Sequence, residues 1–191
     1  MTRNKHWYDY LWLWCIIYFA LGFFNIIFAW LGMIDFLVPL IFAIVGGNKT
    51  FCNNYCGRGQ LITVLGSGLG LSRNVLGPRW MSSKIFRYGF LTFFMLMFAS
   101  MCFQTYLVFA GANNLKEAVT LFWTISLPWQ WAYTAGNFPA WVAQFAFGFY
   151  SMMLTSALLG IIVMVIYKPR TWCTFCPMGT MTQGICTFKA K

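Results

Sequence analysis

Four long runs of this chain contain almost no charged side chain, and that property constrains the fold more than any other. They extend from about Leu11 to Trp30, Leu31 to Gly47, Tyr88 to Ala110 and Phe138 to Tyr167. Crossing a hydrocarbon core of about 30 Å takes roughly 20 mostly apolar residues as helix. The second run is short, is interrupted by Pro39 and is free of charge only after Asp35; the fourth is long enough to cross with tilt. Hydrophobic residues make up 60% of the chain and charged residues 8%, too little polar surface to coat a water-soluble globule of this size. Lipid-exposed backbone needs internal hydrogen bonds, and the runs lack the alternation of a barrel strand, so helices are expected. The expected fold is an all-α integral membrane protein of four transmembrane helices arranged as two hairpins.

Orientation follows from the cations. Arg3 and Lys5 precede the first run, and Lys49, Arg58, Arg73, Arg79, Lys84 and Arg87 lie between the second and third. Lys168, Arg170, Lys189 and Lys191 follow the fourth, whereas Lys116 alone lies between the third and fourth. Short loops rich in Lys and Arg stay on the cytoplasmic side, so both termini are expected in the cytoplasm of a bacterial or archaeal inner membrane crossed several times. The net charge of +10 is therefore topology. The cations flank helices and form no isolated basic stripe, and no nucleic-acid partner is expected. The first run is longer than a secretory signal and lacks a small-residue cleavage site, so it reads as a retained helix.

Each hairpin leads into the same phrase. Phe51-Cys52-Asn53-Asn54-Tyr55-Cys56-Gly57-Arg58-Gly59 follows the second run, and Trp172-Cys173-Thr174-Phe175-Cys176-Pro177-Met178-Gly179 follows the fourth. The order is aromatic, Cys, a spacer ending in an aromatic, Cys, two residues and Gly, with the second copy one residue shorter. Two hairpins of like topology that end alike suggest a parallel pseudo-repeat about an axis along the membrane normal, which would bring the cysteine pairs face to face. The chain then reads as a single membrane domain, 1–191: a first hairpin with its motif (7–59), a cytoplasmic connector (60–84), and a second hairpin with a periplasmic interfacial segment and the second motif (85–191).

Four thiolates in two pairs on the reducing side of a membrane match the ligand count of an iron–sulfur cluster or of a tetrahedral zinc site. Reduced, reactive thiols are the third reading. A spacing of four places Cys52 and Cys56 one helical turn apart on one face, and a spacing of three nearly does so for Cys173 and Cys176, so each pair can chelate. Gly57, Gly59 and Gly179 let the backbone come close to sulfur, and Arg58 and Arg170 can offset thiolate charge. A structural zinc gains little at the foot of a membrane bundle; a redox centre there lies within reach of lipid-soluble quinone and of cytoplasmic partners. The candidate ligands are thus Cys52, Cys56, Cys173 and Cys176, and the expected cofactor is an iron–sulfur cluster, [4Fe-4S] before [2Fe-2S].

The remaining features read more plainly. Cys15 and Cys102 stand alone in apolar runs as small hydrophobes, and Cys186 reads as an ordinary thiol. Gly66, Gly68 and Gly70 follow no strand and have no acidic partner, so they form no dinucleotide fingerprint. Residues 115–134, with Phe122, Trp123, Trp129, Trp131 and Tyr133, suit an amphipathic interfacial segment or, less readily, the wall of a quinone pocket. His6 is the only histidine, which disfavours a haem bundle, and the runs carry no intramembrane charge of the kind that transporters use.

The phrases at Cys52–Cys56 and Cys173–Pro177 resemble the cysteine motifs of the NosR/NapH-type membrane iron–sulfur proteins, over nearly the whole chain. Family members show Cys, three residues, then Cys-Pro; here the first pair has Gly57 in place of proline, and the second keeps Pro177 with two intervening residues. The ferredoxin-like tail and flavin domain that some relatives carry are not found in these 191 residues. The resemblance implies membrane electron transfer between the quinone pool and a redox partner subunit at the cytoplasmic face, by a chain without a catalytic constellation of its own. A non-redox assembly or regulatory subunit, with a structural metal or a thiol sensor, is the competing expectation.

Overall fold

The computed structural model of the chain describes residues 7–47, 51–122, 124–133 and 138–189. Arg3, Lys5, His6, Lys49, Trp123 and Lys191 lie outside them. The main elements are α1 (Leu11–Phe24), α2 (Gly32–Gly46), α3 (Gly57–Thr63), α4 (Lys84–Phe109), a hairpin of β1 (Ala118–Leu121) and β2 (Ile125–Pro128), α5 (Ala140–Ile166) and α6 (Pro177–Lys189). Among the described residues, three helical stretches are long and apolar enough to cross a bilayer: Ile26–Gly46, Lys84–Phe109 and Ala140–Ile166. Tyr8–Phe24 is a shorter apolar helix. The chain is a predominantly helical membrane protein whose apolar helices meet lipid.

The boundary expected at residues 30 and 31 lies earlier. Asn25 leaves helical geometry at φ −146° and ψ 118°, and its side chain accepts a hydrogen bond from the Ile27 N–H at 3.1 Å. That self-capping Asn ends α1, and a 3₁₀ turn over Ile26–Leu31 leads into α2. Pro39 does not break α2, which continues through it to Gly46; proline is tolerated within apolar spans where neighbours enclose it, and Pro39 is buried.

The chain forms two compact units, one containing Met1–Ile16, Phe36–Thr92 and Leu159–Lys191 and the other Ile17–Asp35 and Phe93–Leu158. The first is built on Ile62, Met164, Trp172 and Phe175, all buried, with Phe86 and Phe90 packed against them. Phe175 meets the Trp172, Phe86 and Phe90 rings edge-on at centroid distances of 5.0, 5.3 and 5.5 Å, the geometry that aromatic quadrupoles favour. Gly160 on α5 admits Ile62 and Trp172, with the Ile62 Cδ1 only 2.9 Å from where a Cβ would stand. At the far end of α6, the Lys189 Nζ donates to the last carbonyls of α2, Ile44 at 2.9 Å and Val45 at 3.0 Å, a cationic cap for that helix.

The second unit is held by aromatic girdling and by backbone contacts. The Tyr150 hydroxyl donates to the Phe19 carbonyl at 2.9 Å, and the Trp131 indole donates to the Phe23 carbonyl at 3.2 Å. The described residues of the segment 115–134 form an antiparallel hairpin with Val119 opposite Leu127, followed by a 3₁₀ turn at Gln130–Ala132. Alternation of Val119 and Leu121 with Thr120, and the β-branched Ile125, favour strands, and Thr120 and Ser151 hydrogen bond to each other through their hydroxyls at 3.1 Å.

The two longest helices differ in burial. In its most apolar window α5 is 61% enclosed by protein, against 6% for α4; small residues such as Ala143, Ala146 and Gly148 let neighbours approach α5 closely. Cys102 lies on the sparsely covered α4 and is exposed, so it is not the buried hydrophobe expected of it; Cys15 is buried as expected.

Candidate metal centre

Both cysteine motifs end in the same local structure. Cys56 is the N-cap of α3 at φ −71° and ψ 102°, its carbonyl accepting from the Gln60 N–H at 3.0 Å. Cys176 stands directly before α6, and its carbonyl accepts from the Thr180 N–H at 2.9 Å. Each cysteine is followed at the third helical position by glycine, Gly59 or Gly179, and Pro177 occupies the first helical position, where a missing N–H costs nothing. The one-residue difference between the motifs is absorbed before the cap: Cys52 lies in a π turn over Phe51–Tyr55, whereas Cys173 lies in the tighter 3₁₀ turn Trp172–Thr174. An inserted residue commonly appears as such a π turn. The expectation that Cys52 and Cys56 share one face of one helical turn is therefore replaced by a turn-then-cap arrangement.

The aromatic residues flanking the cysteines moor these turns. Trp172 and Phe175 are buried in the core of their unit. Tyr55 packs against Tyr8 at 5.3 Å and Phe42 at 6.1 Å. The Gln60 amide adds a polar strut, donating at 2.8 Å to the carbonyls of both Tyr8 and Asn54. Glycine at position 57 has a visible reason: a Cβ there would lie 2.6 Å from the Leu11 carbonyl oxygen. Gly57→Ala is expected to cost about 1–3 kcal/mol by overpacking, read as an earlier midpoint in reversible detergent denaturation.

The two pairs converge. A Cβ on Gly59 would lie 3.7 Å from the sulfurs of both Cys173 and Cys56, one from each motif. Cys173 feels the charges of Cys56, Cys176 and Cys52 together, and Cys56 those of Cys176 and Cys52. All four expected ligands thus share one electrostatic neighbourhood. The Gly59 N–H donates to the Cys56 sulfur at 3.4 Å, and the Thr182 hydroxyl lies 3.7 Å from the Cys52 sulfur. Thr182 was not among the expected site residues; its signal is helical spacing, three residues beyond Gly179, whose carbonyl its hydroxyl also meets at 3.1 Å.

Burial raises the Cys56 thiol above its ordinary pKa, with the Gly59 N–H opposing, the charge of Cys176 adding, Arg58 opposing and Cys52 adding. Cys173 presents an exposed edge, yet the protein around its thiol pushes the pKa up to about 12; Cys56 and Cys176 add, Arg170 opposes, and Cys52 adds. The thiols of Cys56 and Cys173 therefore favour the protonated form at neutral pH, and a metal bound there would have to displace their protons. In the metal-free chain, alkylation of Cys173 by iodoacetamide is expected to stay slow through pH 9, where about a thousandth of a thiol of that pKa is ionised, and to accelerate as pH approaches 12. Mass spectrometry of the alkylated peptide across pH measures this directly.

Donor set and surroundings fit an iron–sulfur cluster: four cysteines, a glycine facing the space between sulfurs from both pairs, and a backbone N–H already aimed at one of them. Among the described residues, no three His, Cys, Asp or Glu side chains stand close enough to hold a single metal ion. No family model matches the chain, and no curated protein and no solved structure matches it.

Proposed function

We propose that this chain is a membrane-bound iron–sulfur electron-transfer protein whose Cys52, Cys56, Cys173 and Cys176 hold one cluster, [4Fe-4S] in preference to [2Fe-2S]. The observation that carries this reading is the meeting of the two cysteine pairs around Gly59. A cubane interposes iron and sulfide between its thiolates, so its four ligands stand farther apart than those of a single zinc ion. Bound there, a cluster supplies one-electron chemistry. The chain's own residues hold it, shield it through Trp172 and Phe175, and donate the Gly59 N–H toward the Cys56 sulfur, which tunes a centre's potential. The exposed edge of Cys173 is the natural side for a redox partner, with quinone as the lipid-soluble counterpart. The resemblance of both motifs to the NosR/NapH-type proteins points the same way.

The same proposal includes four crossings with both termini cytoplasmic. Its support is that the start of α1 belongs to the unit that holds the cysteines: the Leu11 carbonyl abuts Gly57, and the Tyr8 carbonyl accepts from Gln60. A stretch as short as Tyr8–Phe24 crosses where the bilayer thins around it. Reporter fusions at the two termini are expected on one side of the membrane and a reporter inserted at residue 112 on the other; opposite termini would reduce the count to three crossings.

The electron-transfer reading is tested by visible absorption of anaerobically purified protein. Dithionite is expected to bleach the absorption and a water-soluble quinone to restore it, with no such signal in Cys52→Ser. If the unmodified chain shows no chromophore and Cys52→Ser merely lowers its abundance, the structural or sensing role takes its place.

A further inference from the structure

The segment from Leu69 to Ile85 is irregular for most of its length, and its apolar side chains face outward. Leu69, Leu71, Val75 and Leu76 are 68%, 51%, 53% and 75% exposed, and Trp80 and Ile85 continue the series. Arg73, Arg79 and Lys84, all exposed, lie among them. Four leucine and valine side chains in water, in a loop with no fold of its own, would be a liability in a cytoplasmic connector.

The backbone of this segment fixes its depth. The Arg73 N–H donates to the Val165 carbonyl at 3.2 Å, the Lys168 N–H to the Val75 carbonyl at 3.0 Å, and the Ser72 hydroxyl to the Tyr167 carbonyl at 2.5 Å. Val165 lies in the last turn of the membrane-crossing helix α5, and Tyr167 and Lys168 directly follow it. The loop is therefore tied to the level at which a span leaves the hydrocarbon. Gly66 makes the approach possible, since a Cβ there would lie 2.8 Å from Pro169 and 3.0 Å from Met164. Irregular backbone does not enter the hydrocarbon region where lipid surrounds it. Among headgroups its free N–H and C=O groups find water and phosphate, while leucine side chains reach the acyl boundary and arginines meet phosphate oxygens.

We propose that residues 69–85 form an interfacial collar that lies in the surface of the adjoining leaflet and binds the headgroups of anionic phospholipids through Arg73, Arg79 and Lys84. The composition is that of a membrane-surface element: apolar side chains for the acyl boundary, a tryptophan at headgroup level, and cations for an anionic surface. No acidic residue occurs between Asp35 and Glu117, so nothing in the segment opposes that surface. The proposal does not depend on a bound cluster.

The test uses the full chain in nanodiscs of phosphatidylcholine alone or mixed with phosphatidylglycerol. Trypsin cleavage after Arg73 and Arg79 is expected to be at least about tenfold slower in the mixed discs, because each cation near an anionic surface contributes roughly a fivefold factor. A photo-crosslinking p-benzoylphenylalanine at the exposed Leu76 is expected to capture lipid, and R73Q/R79Q is expected to lose the preference for phosphatidylglycerol seen in those adducts. Equal cleavage in both discs, no lipid adduct at Leu76, or cross-links from native membranes to another protein and not to lipid would each overturn the collar.

Discussion

Trp172→Ala is expected to destabilise the cysteine-bearing unit by about 3–5 kcal/mol, the cost of removing a buried aromatic from a core that closes only partly around the hole. Trp172 is 3% exposed and supports Ile62, Met164 and Phe175 at once, while Phe90 meets it edge-on at 5.8 Å. Its backbone carbonyl accepts from the N–H groups of both Phe175 and Cys176, so loosening the ring also loosens the turn that carries Cys173. The indole N–H has no hydrogen-bond partner among the described residues, so Trp172→Phe, which deletes that donor, is expected to be far milder. Reversible detergent titration separates the two variants. Equal losses would mean that the ring is not the anchor.

The second large effect concerns the cysteines as a set. Changing any one of Cys52, Cys56, Cys173 or Cys176 to serine is expected to remove nearly all bound iron, and a second substitution is expected to add almost nothing, because ligands that act as a unit are strongly non-additive. Cys186→Ser and the lipid-side Cys102→Ser are expected to retain iron. Gly59→Ala is the finer probe. Its new methyl stands at ordinary contact distance from two sulfurs, so the fold is expected to survive while occupancy of the space between the pairs falls. Iron per folded chain, measured for this series, distinguishes a shared centre from four independent thiols.

Much of this arrangement is legible in the residues themselves. The uncharged runs mark α4 and α5 to within a few residues, because the cost of charge in hydrocarbon leaves little freedom at their ends. The paired motifs identify the cysteines that the fold brings together, and the aromatics between them turn out to be their moorings. What pattern could not supply is context. Asn25 ends α1 through its own side chain, a local hydrogen bond that a hydropathy count passes over. The π turn before Cys56 follows from one extra residue, yet it is braced by Gln60 and Tyr8, 52 residues apart. The outward leucines of 69–76 rest on hydrogen bonds to residues 165–168 that no single segment encodes, whereas the hairpin at 118–128 is a local pairing that a hydropathy count passes over.

The most direct test of the central claim is to measure iron, acid-labile sulfide and electron paramagnetic resonance on anaerobically purified protein, with Cys173→Ser alongside. A [4Fe-4S] carrier predicts about four irons and four sulfides per chain and a signal after dithionite reduction that the variant lacks. Folded protein with no iron, or with zinc in its place, would contradict it.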